Sequence, residues 1–273
     1  MFLQEELGSV SAPANGRTEG ELLSSVAQLS PVDLAQLDEA QLHDRVESKV
    51  ILHTGDVCNA LRGLASDYLV LEHEGERLQG YRNDYFDSPE LVNYHQHHNQ
   101  KGRRLKLRYR TYMNSDLTFF EVKRNVNGRT VKERRVSQQP EGQLLPDDAR
   151  FFFHQTGSDP SVYVPSLRVD YQRILLVKRD LTERVTIDLN LAFTSASGAT
   201  EIRDLAVCEF KQPKLDLRSP AMEATNARPQ NFSKYCMGLA SCDPGLRRNR
   251  FKKVFRKLEA LDAVPSPREQ VAS

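Results

Sequence analysis

Three absences narrow what this 273-residue chain can do: it has no C-x-x-C pair, almost no net charge and no long apolar run. Its cysteines, Cys58, Cys208, Cys236 and Cys242, are scattered, and no signal peptide precedes them. That pattern is expected of ordinary thiols in a reduced, cytoplasmic protein, not of a disulfide framework or a zinc site. With 38 Lys and Arg against 37 Asp and Glu, the net charge is +1. No global field draws the chain to nucleic acid, so any anion specificity must come from local clustering of charge. No segment approaches the roughly 20 apolar residues that a spanning helix needs, so a soluble chain is expected. No internal repeat is evident, and the length suits one domain with a real core plus tails.

What the sequence does contain is strands. Alternating segments stand at 44–52, 81–87, 103–112, 117–124, 129–137, 167–177, 183–193 and 205–212, several separated by turn residues such as "NVNG" and "SASGA". Helices are expected within 54–66, 88–100, 140–155, 231–240 and 245–261. Residues 1–29 and 263–273 read as disordered. In between, a domain over 30–262 opens on a short helix capped by Ser30, with Pro31 at its first position.

Side chains two apart on a strand share a face, so each strand can be sorted by parity. Lys106, Arg108 and Arg110 fall opposite Leu105, Leu107 and Tyr109. A Glu-x-Lys pair recurs on three strands, as Glu47 with Lys49, Glu121 with Lys123, and Glu209 with Lys211. Arg184, Thr186 and Asp188 oppose Val185, Ile187 and Leu189, while Lys132 and Arg134 lie on the hairpin partner of Lys123. A solvated outer face explains any one such strand. Their repetition, with basic groups matching or outnumbering acidic ones on each face, points instead to a closed barrel whose charged faces turn inward and whose apolar faces are covered by helices.

One lumen would then gather Lys49, Arg108, Arg110, Lys123, Lys132, Arg134, Arg173, Arg184 and Lys211, with Glu47, Glu121, Glu209 and Asp188. Unneutralised buried cations are too costly to persist, so such a lumen must hold water and a polyanion. A linear phosphate chain fits: arginine offers bidentate donors and lysine point charges. The glutamates suit a hard divalent cation, Mg²⁺ or Mn²⁺.

In order along the chain, "ESKVILH", "YFDS", "KLRYRTY", "FFEVKR", "RTVKERR", "YQR", "RVTID", "CEFK" and "FSKY" also resemble the VTC domain, the catalytic domain of vacuolar transporter chaperone polyphosphate polymerases. That domain belongs with the triphosphate tunnel metalloenzymes, the CYTH-like group, and the resemblance covers roughly residues 45–240. It implies an α+β fold built on an antiparallel eight-stranded β-barrel, with helices packed outside. The implied reaction transfers the γ-phosphate of ATP to a growing inorganic polyphosphate chain, with Mn²⁺ or Mg²⁺.

Carried over by motif, Lys49, Arg108, Arg110, Lys123, Lys132, Arg173, Arg184 and Lys234 are implied phosphate contacts and Glu209 the principal metal ligand; Arg134 and Lys211 join them by parity. Glu47 and Glu121 suit either a metal or a lysine-orienting role. Val50 stands where the family usually has tyrosine, on the opposite face, so packing and not chemistry is expected to change. The chain shows neither the SPX domain nor the transmembrane segment of the eukaryotic subunits and resembles the free-standing bacterial versions, so sensing and translocation are expected to be absent or supplied by partners, a membrane protein among them, with the chain itself cytoplasmic and peripheral at the inner face of the membrane. A metal-dependent triphosphatase with water as acceptor, and a polyphosphate-binding module without turnover, remain open alternatives.

Two other stretches invite a reading. His95, His97 and His98 lack the i, i+4 spacing that lets two imidazoles share a metal from one helix, so a solvated helix face is expected. The segment 245–261 is basic and amphipathic, with Phe251, Val254, Phe255, Leu258 and Leu261 on one stripe. Packing of that stripe, steering of polyphosphate and contact with an anionic membrane are its three readings. Phe151, Phe152 and Phe153 read as core.

Overall fold

The computed structural model describes residues 16–39, 45–127 and 129–268. In chain order the first elements are α1 (Gly16–Ala27), β1 (Ser30–Val32), α2 (Leu34–Glu39), β2 (Val46–His53), α3 (Thr54–Arg62) and β3 (Tyr68–Leu71). Next come β4 (Gln79–Asp87), α4 (Val92–His98), β5 (Arg103–Tyr112), β6 (Leu117–Val126), β7 (Arg129–Ser137) and α5 (Pro146–Thr156). The last are β8 (Val164–Lys178), β9 (Arg184–Ser195), β10 (Gly198–Ile202), β11 (Leu205–Gln212), α6 (Pro220–Thr225), α7 (Lys234–Cys242), α8 (Lys252–Ala260) and β12 (Ser266–Pro267).

Eight strands follow one hydrogen-bonded path, β12-β10-β9-β8-β4-β5-β6-β7, with β11 linking β9 to β2 and β3 linking β8 to β1. Only β1 with β3 is a parallel pair among the described strands. The class is α+β with a dominant antiparallel sheet, as the strand pattern and the resemblance implied. The chain divides into two compact units: Met1–Leu78, Ile174–Leu189 and Asp204–Asn231 form the first, and the remainder forms the second. Strands β8 and β9 belong partly to each.

In the first unit, one face of β2, β9 and β11 is apolar because Val50 and Leu52, Val185, Ile187 and Leu189, and Ala206, Cys208 and Phe210 alternate with charge. That face packs against Val57, Cys58 and Leu61 of α3, Ala221 and Met222 of α6, and Leu22 and Val26 of α1. Val50 is fully buried in this cluster, so packing and not chemistry occupies the position. Helix α3 starts where the His53 imidazole accepts a hydrogen bond from the Gly55 amide at 3.1 Å, relieving one of the unpaired amides of the first turn.

In the second unit, β4 to β7 form a meander whose apolar face carries Phe86, Leu107, Tyr109, Phe120 and Val122, capped by Phe152 of α5. Helix α5 is tied down by buried Asp148, which accepts from Arg135 at 3.1 Å and from the Ser137 hydroxyl. Helix α7 lies so close to the sheet that a Cβ on Gly238 would fall inside contact distance of the Phe193 ring and a Leu167 methyl. Gly238→Ala is therefore expected to lose about 1–3 kcal/mol of stability through overpacking, read as a fall in the urea midpoint at unchanged slope.

Several expectations need correcting. Of the segment 1–29 expected to be disordered, residues 1–15 lie outside the described residues, while 16–27 form α1, held by buried Leu22 and Val26. Ser30 and Pro31 do not open a helix; they pair with Leu69 and Val70 in β1, and α2 begins three residues later, where Asp33 accepts from the Gln36 amide at 2.8 Å. At the other end, 269–273 lie outside the described residues, but Ala263 is buried and Ser266–Pro267 pair with β10. Phe152 is core and Phe151 packs at its edge, whereas Phe153 is 52 % exposed because a three-residue aromatic run cannot turn every side chain to one face of a helix. The imidazoles of α4 serve structure: His97 bonds the Leu105 carbonyl at 3.2 Å and His98 bonds Asn99 and Asn249.

Candidate phosphate-binding faces

Each unit carries a charged face opposite its apolar one. In the first, antiparallel register sets the cations in rows across three strands. Lys211 pairs with Glu47 on one side and Arg184 on the other; one step along, Glu209 pairs with Lys49 and Thr186. Glu209 binds both lysines of this face, Lys49 at 2.8 Å and Lys211 at 3.3 Å. Burial disfavours the Lys49 ammonium, but Glu209, then Glu47 and Asp188, outweigh it and hold its pKa above the ordinary lysine value. Glu47 contacts Arg45 at 3.5 Å, and the Arg184 guanidinium donates to the Leu37 carbonyl.

In the second unit the rows are denser. Register places Lys106, Lys123 and Lys132 side by side on β5, β6 and β7, and Arg108, Glu121 and Arg134 in the neighbouring row. Glu121, 2 % exposed, is the hub: it accepts from Arg108 at 2.7 Å and from Lys132 at 2.7 Å, with Arg110 at 3.8 Å. Burial alone would raise the pKa of this carboxyl, yet Arg108, Arg110 and Lys132 hold it far below the carboxylate range. A second ring of neutral groups fixes the arginines: Arg108 donates to the Tyr85 hydroxyl at 3.0 Å and Arg110 to the buried Asn83 at 3.1 Å.

Tyrosines floor the remaining cations. The Tyr81 and Tyr171 rings stack at 5.2 Å, Arg173 lies over both at 5.0 and 5.3 Å, and Lys234 sits 4.6 Å above Tyr171. Arg134 lies 4.8 Å over Phe119, and Lys106 donates to the Ser233 hydroxyl at 3.1 Å. Such stacking restrains long cationic side chains against the face of a ring.

The sites expected from sequence thus divide into two sets. Lys49, Arg184, Glu47, Glu209 and Lys211 come together on the first unit, and Arg108, Arg110, Glu121, Lys123, Lys132, Arg134, Arg173 and Lys234 on the second. Sequence reasoning missed the neutral partners Tyr81, Asn83, Tyr85 and Tyr171, although parity along β4 puts the first three on one face. It also left Lys106 off the site despite sorting it onto the correct face.

Burial, with Arg110 and Arg108 adding to it against the pull of Glu121, brings the Lys132 ammonium down to about 7. A bound polyphosphate favours the charged form and so raises that pKa. Binding above pH 7 must then take up a proton, and affinity must weaken as pH rises through 7. Titration calorimetry of tripolyphosphate at pH 8, in buffers of different ionisation enthalpy, is expected to show more proton uptake for the wild type than for Lys132→Met, by up to about one proton.

A family model of the VTC domain matches residues 44–145 and 158–242. The chain belongs to the VTC domain family. The match takes in β2 to β7 and β8 to α7 of this VTC domain. No curated protein matches it. Among solved structures, it is similar to a candidate adenylate cyclase from Vibrio parahaemolyticus, at 13 % identity and a TM-score of 0.42 over 72 % of this chain and 99 % of that one. It is also similar to the Hippeastrum protein HpAC1, in which a triphosphatase activity is dominant, at 11 % identity and 0.36 over 84 % and 92 %. A third is the PH1819 protein of Pyrococcus horikoshii, at 10 % identity and 0.34 over 82 % and 95 %.

The VTC domain's carboxylates bear differently on a metal. Among the described residues no three His, Cys, Asp or Glu converge into a protein cage. Mg²⁺ and Mn²⁺ bound with phosphate ask for less, typically one or two carboxylates, with phosphate and water completing the shell. Glu209, about one-fifth exposed, and Glu47 in the adjacent row fit that demand. Glu121 does not: at 2 % exposure it lies beneath Arg108 and Lys132 with no room for an ion and its water. No helix among the described residues is long and apolar enough to cross a membrane.

Proposed function

We propose that this VTC domain is a polyphosphate polymerase that transfers the γ-phosphate of ATP to the end of an inorganic polyphosphate chain. The observation that carries the reading is the Glu121 hub, which holds Arg108, Arg110 and Lys132 on one buried carboxylate. A single carboxylate beneath two guanidiniums, with an amine beside them that phosphate binding recharges, leaves excess positive charge that is already oriented, which suits the equatorial oxygens of a transferring phosphoryl group.

Arg108 and Arg110 clamp those oxygens, their guanidiniums fixed by Tyr85 and Asn83. Lys123, Lys132, Arg134, Arg173 and Lys234 neutralise the flanking phosphates, and Lys49, Lys211 and Arg184 do the same on the first unit. A divalent metal, when bound, would neutralise charge on bridging phosphate oxygens, with Glu209 and Glu47 to hold it. Glu121 takes the orienting role, not the metal.

No protein nucleophile is called for. All four cysteines are buried, and burial raises each thiol, that of Cys208 to about 12. His97, half-buried and close to Lys106, is lowered to about 3 and is spent on a backbone carbonyl. The attacking oxygen must come from the acceptor, which is the terminal phosphate of the chain. Partners are therefore ATP and polyphosphate, with a membrane protein as a route for product.

Incubating the protein with ATP and Mn²⁺ tests this directly. Long-chain product on a polyacrylamide gel together with ADP is the expected result. Release of orthophosphate alone would make the protein a triphosphatase, and tight polyphosphate binding with neither product would make it a binding module.

A further inference from the structure

Helix α8 and its approach lie beyond residue 242, where the family match ends. Their apolar stripe is used up in folding. Val254 and Leu258 are buried, Phe251 packs edge-on against Tyr94 and His98 at 6.1 and 5.5 Å, and Phe255 lies under the Arg248 guanidinium at 5.3 Å. The Tyr94 hydroxyl further pins the segment by donating to the Arg247 carbonyl at 2.9 Å. What faces solvent is mostly cationic: Arg247, Arg250, Lys252, Lys253 and Arg256 are exposed, against Glu259 and Asp262.

This arrangement works against the helix itself. Lys252 and Lys253 occupy the first turn, where the helix dipole favours anions, and no acidic residue stands there. Lys252 and Arg256 repel one another at i, i+4. A segment that breaks two local rules is a place to look for a functional reason. An excess of positive charge on a fixed scaffold complements an anion, and with the apolar stripe packed inward nothing remains to insert between lipid chains.

We propose that the exposed cations of α8 form an exosite for long-chain polyphosphate, separate from the faces that bind the reacting phosphates. The proposal rests on the polyphosphate reading above but concerns a different surface. A chain held at its reacting end and again on α8 gains from effective concentration, whereas tripolyphosphate is too short to do so.

The test is the charge reversal K252E/K253E/R256E in the full chain. It places acids at the helix start while exchanging one like-charge i, i+4 pair for another, so its thermal midpoint is expected to stay within about 3 °C of the wild type. Wild type is expected to bind chains of about 100 phosphates at least tenfold more tightly than tripolyphosphate, with the reversal removing that excess and leaving tripolyphosphate affinity within about twofold. Unchanged long-chain affinity in the variant overturns the exosite. So does a variant that loses only its binding to phosphatidylserine-containing vesicles, which would make α8 a membrane contact. Failure of the wild type to bind tripolyphosphate, with long-chain binding still sensitive to the reversal, would overturn the reacting-site reading and keep the exosite.

Discussion

Arg108→Ala is expected to lower the rate of polyphosphate synthesis about 10²–10³-fold, the range found when one preorganised donor to a developing oxyanion is removed. Its guanidinium joins Glu121 to the Tyr85 hydroxyl, so it is aimed before any phosphate arrives. The loss should fall on kcat more than on KM, because the neighbouring cations still attract ATP. Arg108→Lys should recover little of it. A lysine keeps the charge but lacks the fork that reaches a carboxylate, a tyrosine hydroxyl and a phosphate oxygen together. Steady-state kinetics with ATP and a short polyphosphate primer measures this. A kcat within about threefold of wild type for Arg108→Ala would remove Arg108 from the transition state.

The second large effect is expected of Glu121. Truncation to alanine leaves Arg108, Arg110 and Lys132 facing one another around a buried space, and breaking a buried ion cluster in this way costs about 3–5 kcal/mol. Chemical denaturation reads that loss. Glu121→Gln, which keeps the shape and removes the charge, decides the role. With Glu121 as an orienting group, activity falls while the Mn²⁺ concentration for half-maximal activity stays put, and Glu209→Gln moves that concentration upward. A shift in the Mn²⁺ requirement for Glu121→Gln would instead make it a metal ligand.

Strict alternation made much of this legible. β5, β7 and β11 fall where the alternating pattern placed them, and parity put Arg108, Arg110, Glu121 and Lys123 on one face because register has a period of two. Elements without alternation escaped. β3 is a continuous apolar run, "YLVL", and β1, β10 and α6 are too short to show a period. The hub role of Glu121 was not readable either. Parity shows that a glutamate and an arginine share a face, but only the register of β5 against β6 shows that they are directly opposed. The tyrosine floor escaped because a tyrosine on a strand reads equally as core, and here Tyr81 and Tyr171 are both buried and engaged with cations.

The pairing of β2 with β11 joins His53 to Leu205, so roughly 150 residues must leave the ribosome before the second partner exists. At typical synthesis rates that interval is on the order of ten seconds or more, during which Val50, Ile51 and Leu52 have no sheet to join. Glu47 and Lys49 interrupt this stretch with charge, as gatekeeper residues do beside aggregation-prone strands. The pair proposed above for phosphate and metal would therefore also guard the nascent chain.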